Sequence, residues 1–257
     1  MILRHIILSA SNSGYGSEFD DKFRYNTYFM SHYLSMHIRK HRIVTDGTFN
    51  MIFISITKDM DSHKLFVSCK QLFINLHVSE EEINKYLEMH EIERFEYYLS
   101  LFERSYQIAD KFRPIPIQTL LSLHDEFRDG GYKVEWLFKN KYISEYGIHI
   151  SLKCQLSSYD FKLHLSVYDR KKTLIGKGNI FHTYPDSIFF WKTIKTMMIT
   201  DKKLVILDYL GHPQVECDLK NMLSKGIVKP KYLDANTQKY TYNELTKSKF
   251  DKIKWLK

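Results

Sequence analysis

Apolar and polar residues alternate one by one through Ile148, Ile150, Leu152, Cys154 and Leu156, and again through Phe161, Leu163, Leu165 and Val167. A period of two sends successive side chains to opposite faces, so both stretches predict half-buried strands of an antiparallel sheet. Lys162, His164, Ser166 and Tyr168 fall on the other face of the second strand. Tyr132 to Phe138 predicts an earlier strand and Leu174 to Phe181 a later one, with Asp169-Arg170-Lys171-Lys172 as the turn before it. Beyond them, Pro185-Asp186 predicts a helix running to Ile199, capped by Asp186, and Leu204 to Leu207 a further strand.

The first third opens with a predicted strand, Ile2 to Leu8, and a polar loop over residues 11–17. Residues 23–41 fit two patterns. Phe29, Tyr33 and Met36, with Met30, Leu34 and Ile38, keep helical spacing, while a β-hairpin turning at Asp46-Gly47 is the other reading. The helix is the favoured reading. Phe49 to Ile56 predicts a strand, with Ile52, Ile54 and Ile56 on one face, and Leu65–Val67 and Leu72–Val78 predict one or two more.

The middle is helical. Ser79-Glu80-Glu81-Glu82 has the form of a capping box, and its glutamates suit the positive end of a helix dipole. Ile92, Phe95, Leu99, Phe102 and Tyr106 step by three and four, a single buried stripe. Pro114 and Pro116 end that run. Ile117, Leu120, Leu121, His124 and Phe127 then form the inward face of a shorter helix, stopped by Gly130-Gly131. The expectation is one α+β domain over 1–257: an antiparallel sheet, meandering in the C-terminal half, packed on a central group of helices. A subdivision falls near 114–131, and 229–257 is a basic C-terminal segment.

Composition narrows the classes. With 44% hydrophobic and 26% charged residues, 257 residues bury a sizeable core, and 10 Gly with 5 Pro exclude a collagen-like or linker-rich chain. No apolar run approaches the roughly 20 residues of a membrane helix. The start, Met1 to Ala10, is too short and too interrupted for a signal peptide, so a cytoplasmic protein without membrane contact is expected. Cys69, Cys154 and Cys217 are an odd, widely spaced set that suits three buried thiols in a reducing compartment. The net charge of +8 is unevenly placed: Lys220 to Lys257 holds ten lysines against three acids, and Ser79 to Arg104 holds eight glutamates against three bases.

Candidate chemistry is sparse. Gly14-Tyr15-Gly16 follows a strand where a dinucleotide loop would sit, but the third glycine of that motif falls on Phe19. His37 and His41 share a helical face, yet the glutamate of H-E-x-x-H is replaced by Ile38. Asp186 with Asp218-Leu219-Lys220 has a superficial likeness to metal-dependent nucleases. Gly176-Lys177-Gly178 suggests a bulge or tight bend. His149, His164, Tyr168 and His182 are the remaining scattered polar residues for a small-molecule site. No catalytic constellation, metal site or cofactor is expected. Two binding surfaces are: Glu80, Glu81, Glu82, Glu88 and Glu91 for a basic protein partner, and, as the alternative, Lys229, Lys231, Lys247, Lys249, Lys252 and Lys254 with Trp255 for nucleic acid.

The stretch Phe127-Arg128-Asp129-Gly130-Gly131-Tyr132-Lys133-Val134-Glu135-Trp136, a helix running through Gly-Gly into an aromatic strand, and the meander after it resemble the immunity proteins of bacterial polymorphic toxin systems. The resemblance covers about a fifth of the chain. It implies a protein without turnover that neutralises a cognate toxin by binding it. Members directed at nucleases are often acidic, and this chain departs from that at +8. The leading expectation is therefore a non-enzymatic protein-binding or inhibitory protein, the alternative a nucleic-acid-binding protein or degenerate nuclease.

Overall fold

The computed structural model describes residues 1–60, 65–191 and 193–233. The fold is α+β, and the chain divides into two compact units between Val134 and Glu135. Among the described residues no helix is long and apolar enough to cross a membrane.

The first unit runs β1 (His5–Ser9), α1 (Ser17–His41), β2 (Met51–Thr57), β3 (Leu65–Ser68), β4 (Gln71–His77), α2 (Glu80–Glu88), α3 (Glu91–Phe112) and α4 (Ile117–Asp129). Its sheet has the order β1-β2-β4-β3. β2 is parallel to both β1 and β4, and β3 is antiparallel to β4. Ile52, Ile54 and Ile56 stand opposite Leu72, Ile74 and Leu76, so the two alternating patterns merge into one buried face. Residues 23–41 are helical, as the favoured reading predicts, within a 25-residue α1 that buries Phe23, Phe29, Met30, Leu34 and Ile38.

α1 also covers the open edge of β1. Thr27, Ser31 and Ser35 recur every four residues and so line one face of the helix. The Ile6 amide donates to Ser35 Oγ (3.1 Å), which donates back to the Ile6 carbonyl (3.2 Å). The Leu8 amide donates to Ser31 Oγ (3.1 Å), and Thr27 Oγ1 donates to the Leu8 carbonyl (3.1 Å). Hydroxyls thereby take the place of a neighbouring strand.

The helical middle breaks before Pro114, as predicted, and once more between Glu88 and Glu91. Ser79 accepts from the Glu82 amide (3.1 Å) as its cap pattern predicts, but the Glu82 carboxylate turns to Arg104 Nη1 (2.6 Å). The chain leaves helix at Met89–His90, where His90 and Glu93 form the capping box that starts α3. Ile92, predicted to head the buried stripe, lies in the first turn after that break and is 54% exposed, whereas Phe95, Leu99, Phe102 and Tyr106 are buried. In α4, Ile117 and Leu121 are half-buried and Leu123 takes their place in the core. Arg128 ties α4 to α3 through Glu96 (3.1 Å) and Glu103 (3.3 Å), and buried His124 reaches Glu103 (3.2 Å).

The second unit holds β5 (Val134–Ile143), β6 (Ile148–Leu156), β7 (Phe161–Tyr168), β8 (Leu174–Thr183), α5 (Ser187–Phe190), β9 (Thr196–Thr200), β10 (Lys203–Leu207), β11 (Pro213–Asp218), α6 (Leu219–Lys225) and β12 (Pro230–Tyr232). β5 to β8 lie side by side in chain order, and β6, β7 and β8 pair antiparallel, the expected meander. β9 to β12 form a second antiparallel sheet in chain order. The helix expected from Asp186 to Ile199 is one turn only; Thr196 to Thr200 goes into β9 instead, where Met197 and Met198 pair with Ile206 and Val205. The β7–β8 register shifts at Ile175, beside Gly176, the bulge that the Gly176-Lys177-Gly178 pattern suggests, and both glycines also allow close approach: a Cβ on Gly176 would sit 2.8 Å from the Gly226 carbonyl oxygen, and one on Gly178 2.7 Å from Val228 Cβ. Cys154 and Cys217 are buried as expected, but Cys69 is exposed in the β3–β4 turn.

Candidate functional site

Because β1, β2 and β4 are parallel, their carboxyl ends open at one end of the sheet. In open sheets with parallel strands this is where ligands bind. A cleft of about 470 Å³ lies there. One wall is the first turns of α1, through Glu18, Phe19 and Lys22. The opposite wall is Glu80, Ile83, Asn84 and Leu87, whose spacing of three and four makes them one face of α2. Gly14, Tyr15 and Lys58, from the loop after β1 and the end of β2, complete it.

The loop is fastened by its own bonds. Ser13 accepts from the Tyr15 amide (3.2 Å) and donates to Asp20, and its carbonyl accepts from the Lys58 amide (2.9 Å). The Lys58 stem lies on Gly14, with Cγ 2.9 Å from where a Cβ would stand, so a larger residue would displace it. Phe19, in place of the third glycine of a dinucleotide motif, stacks on Phe23 (centroids 5.6 Å apart), lies against the tilted Tyr15 ring (5.2 Å) and forms cleft wall. Tyr15 donates to the Val78 carbonyl; burial, with Glu82 and Glu80 nearby, pushes its hydroxyl up to about 12, so it remains a donor at neutral pH. Lys22 pairs with Glu18 (2.8 Å) and Lys58 with Glu80 (3.5 Å), and all four side chains reach solvent.

The five glutamates expected to meet a partner divide into two groups. Glu80, Glu81 and Glu82 are paired with Lys58 (3.5 Å), Lys85 (2.8 Å) and Arg104 (2.6 Å). Glu88 and Glu91 flank the α2–α3 break, and both are exposed. With them stand two large aliphatic side chains that sequence periodicity assigned to no surface: Leu87, 40% exposed, and Ile92. This elbow is held rigidly. Arg94 Nη2 donates to the Leu87 carbonyl (3.1 Å), and the His90 amide donates to Glu93 (2.7 Å).

The other candidates stay apart or take structural roles. Asp218 caps α6, its Oδ1 accepting from the Asn221 amide (3.0 Å). His37 bonds the Tyr33 carbonyl (2.8 Å), His164 bonds Gln155 (3.0 Å) and His182 bonds Asp160 (2.8 Å). His149 stands opposite Tyr168 in the sheet and lies 4.6 Å from the Tyr142 ring. Among the described residues, no group of three or more His, Cys, Asp or Glu is placed to hold a metal ion. Lys231 pairs with Glu216 (3.4 Å), and Lys229 borders a small crevice with Asp218. Lys247, Lys249, Lys252, Lys254 and Trp255 lie outside the described residues. No family model, curated protein or solved structure matches this chain.

Proposed function

We propose that this chain is a non-catalytic binding protein whose partner is another protein, engaged through the acidic α2 and the α2–α3 elbow. The elbow carries the reading: two exposed aliphatic side chains, Leu87 and Ile92, stand beside the carboxylates of Glu88 and Glu91 on a backbone already locked by Arg94 and the His90–Glu93 box. An apolar centre with a charged rim is the usual anatomy of a protein interface, and a pre-ordered backbone lowers the entropy cost of docking. The surplus of glutamate along α2 and α3 favours a basic contact surface on the partner. The resemblance to immunity proteins supports an inhibitory role, with a toxin as the partner.

The test is co-purification from nuclease-treated lysate with the tagged full-length chain, followed by affinity measurement on the partner recovered. The reading expects one stoichiometric protein whose affinity falls about tenfold, or about 1.4 kcal/mol, in Ile92→Ala and further in Glu88→Lys with Glu91→Lys. Both changes lie on exposed positions, so the fold is retained. A partner bound equally well by these variants, or recovery of nucleic acid in place of protein, overturns the reading.

A further inference from the structure

We propose that one end of the outer face of the β5–β8 sheet binds single-stranded nucleic acid, independently of the elbow and its partner. The division of the chain locates the charge. Residues 1–134 hold sixteen Lys and Arg against eighteen Asp and Glu, whereas residues 135–233 hold sixteen against nine, so a polyanion is drawn to the second unit.

Strand alternation builds the surface there. The register sets His149 opposite Tyr168 and Ser166 opposite Lys177, on the face away from buried Ile150, Leu165 and Val167. The Tyr142 ring, on β5 and 45% exposed, lies 4.6 Å from the His149 ring. Three neighbouring strands thus bring Tyr142, His149 and Tyr168 to one end of the sheet. Cations gather at the same end. Tyr168 leads into the β7–β8 turn with Arg170, Lys171 and Lys172, and Arg170 Nε lies 2.7 Å from where a Cβ on Gly147 would stand, so this turn meets the one between β5 and β6. Lys153, further along β6, is matched by Glu135, but Arg170, Lys171, Lys172 and Lys177 are exposed. The acids at this end are Glu145 and Asp169, and Asp169 Oδ1 accepts from the Thr173 amide (2.8 Å).

Rings and surplus cations together select the ligand. Every base offers a π-face to an aromatic ring, and the phosphates take the lysines and the arginine. In a duplex the base faces are covered by their neighbours, so a single strand is what presents both groups to one sheet face.

Fluorescence anisotropy of labelled oligo-dT and oligo-U strands with the full chain, between about 50 and 200 mM salt, tests this. The expected result is saturable binding below about 100 µM, with log affinity falling linearly as log salt rises. Lys171→Gln with Lys177→Gln should flatten that slope by about 1.4, because each phosphate contact on a single strand contributes about 0.7. Tyr142→Ala should weaken binding about fivefold or more and leave the slope in place, since stacking releases no counterions. All three positions are exposed, so the fold is retained. Ile92→Ala leaves these values unchanged, which separates this surface from the elbow. The proposal is overturned by an absence of saturable binding at the lower salt, by a duplex of equal length bound as tightly, or by an affinity that Tyr142→Ala does not change. It is equally overturned if only the C-terminal pair Lys249→Gln with Lys252→Gln moves the slope, or if anionic lipid vesicles displace the strand.

Discussion

Single residues in this protein are decided by what approaches them. Gly176 and Gly178 sit in β8 because the chain at Gly226 and Val228 crosses their Cα positions at distances no Cβ tolerates. The three cysteines show the same dependence. Burial pushes the Cys154 thiol up to about 12, and burial with the charge of Glu216 does the same for Cys217, while Cys69 stands exposed in its turn. Thiolate is the reactive form, so an exposed cysteine reacts and buried ones wait for unfolding. A disulfide-exchange reagent at neutral pH will therefore titrate one thiol rapidly in the native protein and all three in denaturant. In Cys69→Ser the rapid phase should vanish; rapid reaction of Cys154 or Cys217 in that variant would contradict their burial.

At the scale of elements, α1 does two jobs with one surface. Its apolar residues fill the core, and Thr27, Ser31 and Ser35 satisfy the edge of β1 through hydroxyls. An edge strand left open is a template for aggregation, and covering it with a helix is one of the few ways to close it. Ser35→Ala removes both partners of Ile6, and each buried unsatisfied backbone group costs about 1–3 kcal/mol. The gain in helix propensity from alanine, about 0.5 kcal/mol, offsets little of this. A lowered urea midpoint by circular dichroism is the expected outcome; an unchanged midpoint would mean that the ladder adds nothing to stability. The serine spacing was visible in the sequence, but nothing there indicated which strand lay beside it. α2 illustrates the converse. Its cap was legible from Ser79, whereas the break before α3 depends on His90, which is not among the usual N-cap residues.

For the whole molecule the consequence is two cores. The second unit has a titratable lock in the β6–β7 turn. Asp160 accepts from Ser157 (2.8 Å), Lys162 (2.8 Å) and His182 (2.8 Å). Burial alone would push its carboxyl up, but these bonds and the Lys162 charge outweigh that and hold it well below the usual range. A depressed carboxyl stabilises the fold above its unfolded value of about 3.9, and that stability is lost as pH falls towards the folded value. Trp136 and Trp191 both lie in the second unit, and residues 1–134 contain no tryptophan. In a Trp255→Phe background, the fluorescence-detected denaturant midpoint should fall below about pH 4. Asp160→Asn should be less stable at neutral pH and lose that acid dependence, and Ser35→Ala should leave this signal unmoved. A fluorescence midpoint shifted equally by Ser35→Ala would show that the two cores unfold as one.

Local order was written in the sequence by itself: the alternation of β2, β6 and β7, the inward face of α1 over residues 23–41, and the Ser79 cap each follow from periodicity and hydrogen-bonding chemistry within a few residues. It also located the acidic α2. Tertiary structure alone decided the rest. Parallel pairing of β1, β2 and β4 joins segments distant in the chain, so the cleft that gathers Phe19, Lys58 and Asn84 had no local signature. Burial is likewise a property of neighbours, which is why Ile92, apolar and in register, ended on the surface while Gly176 was held small by a backbone fifty residues away.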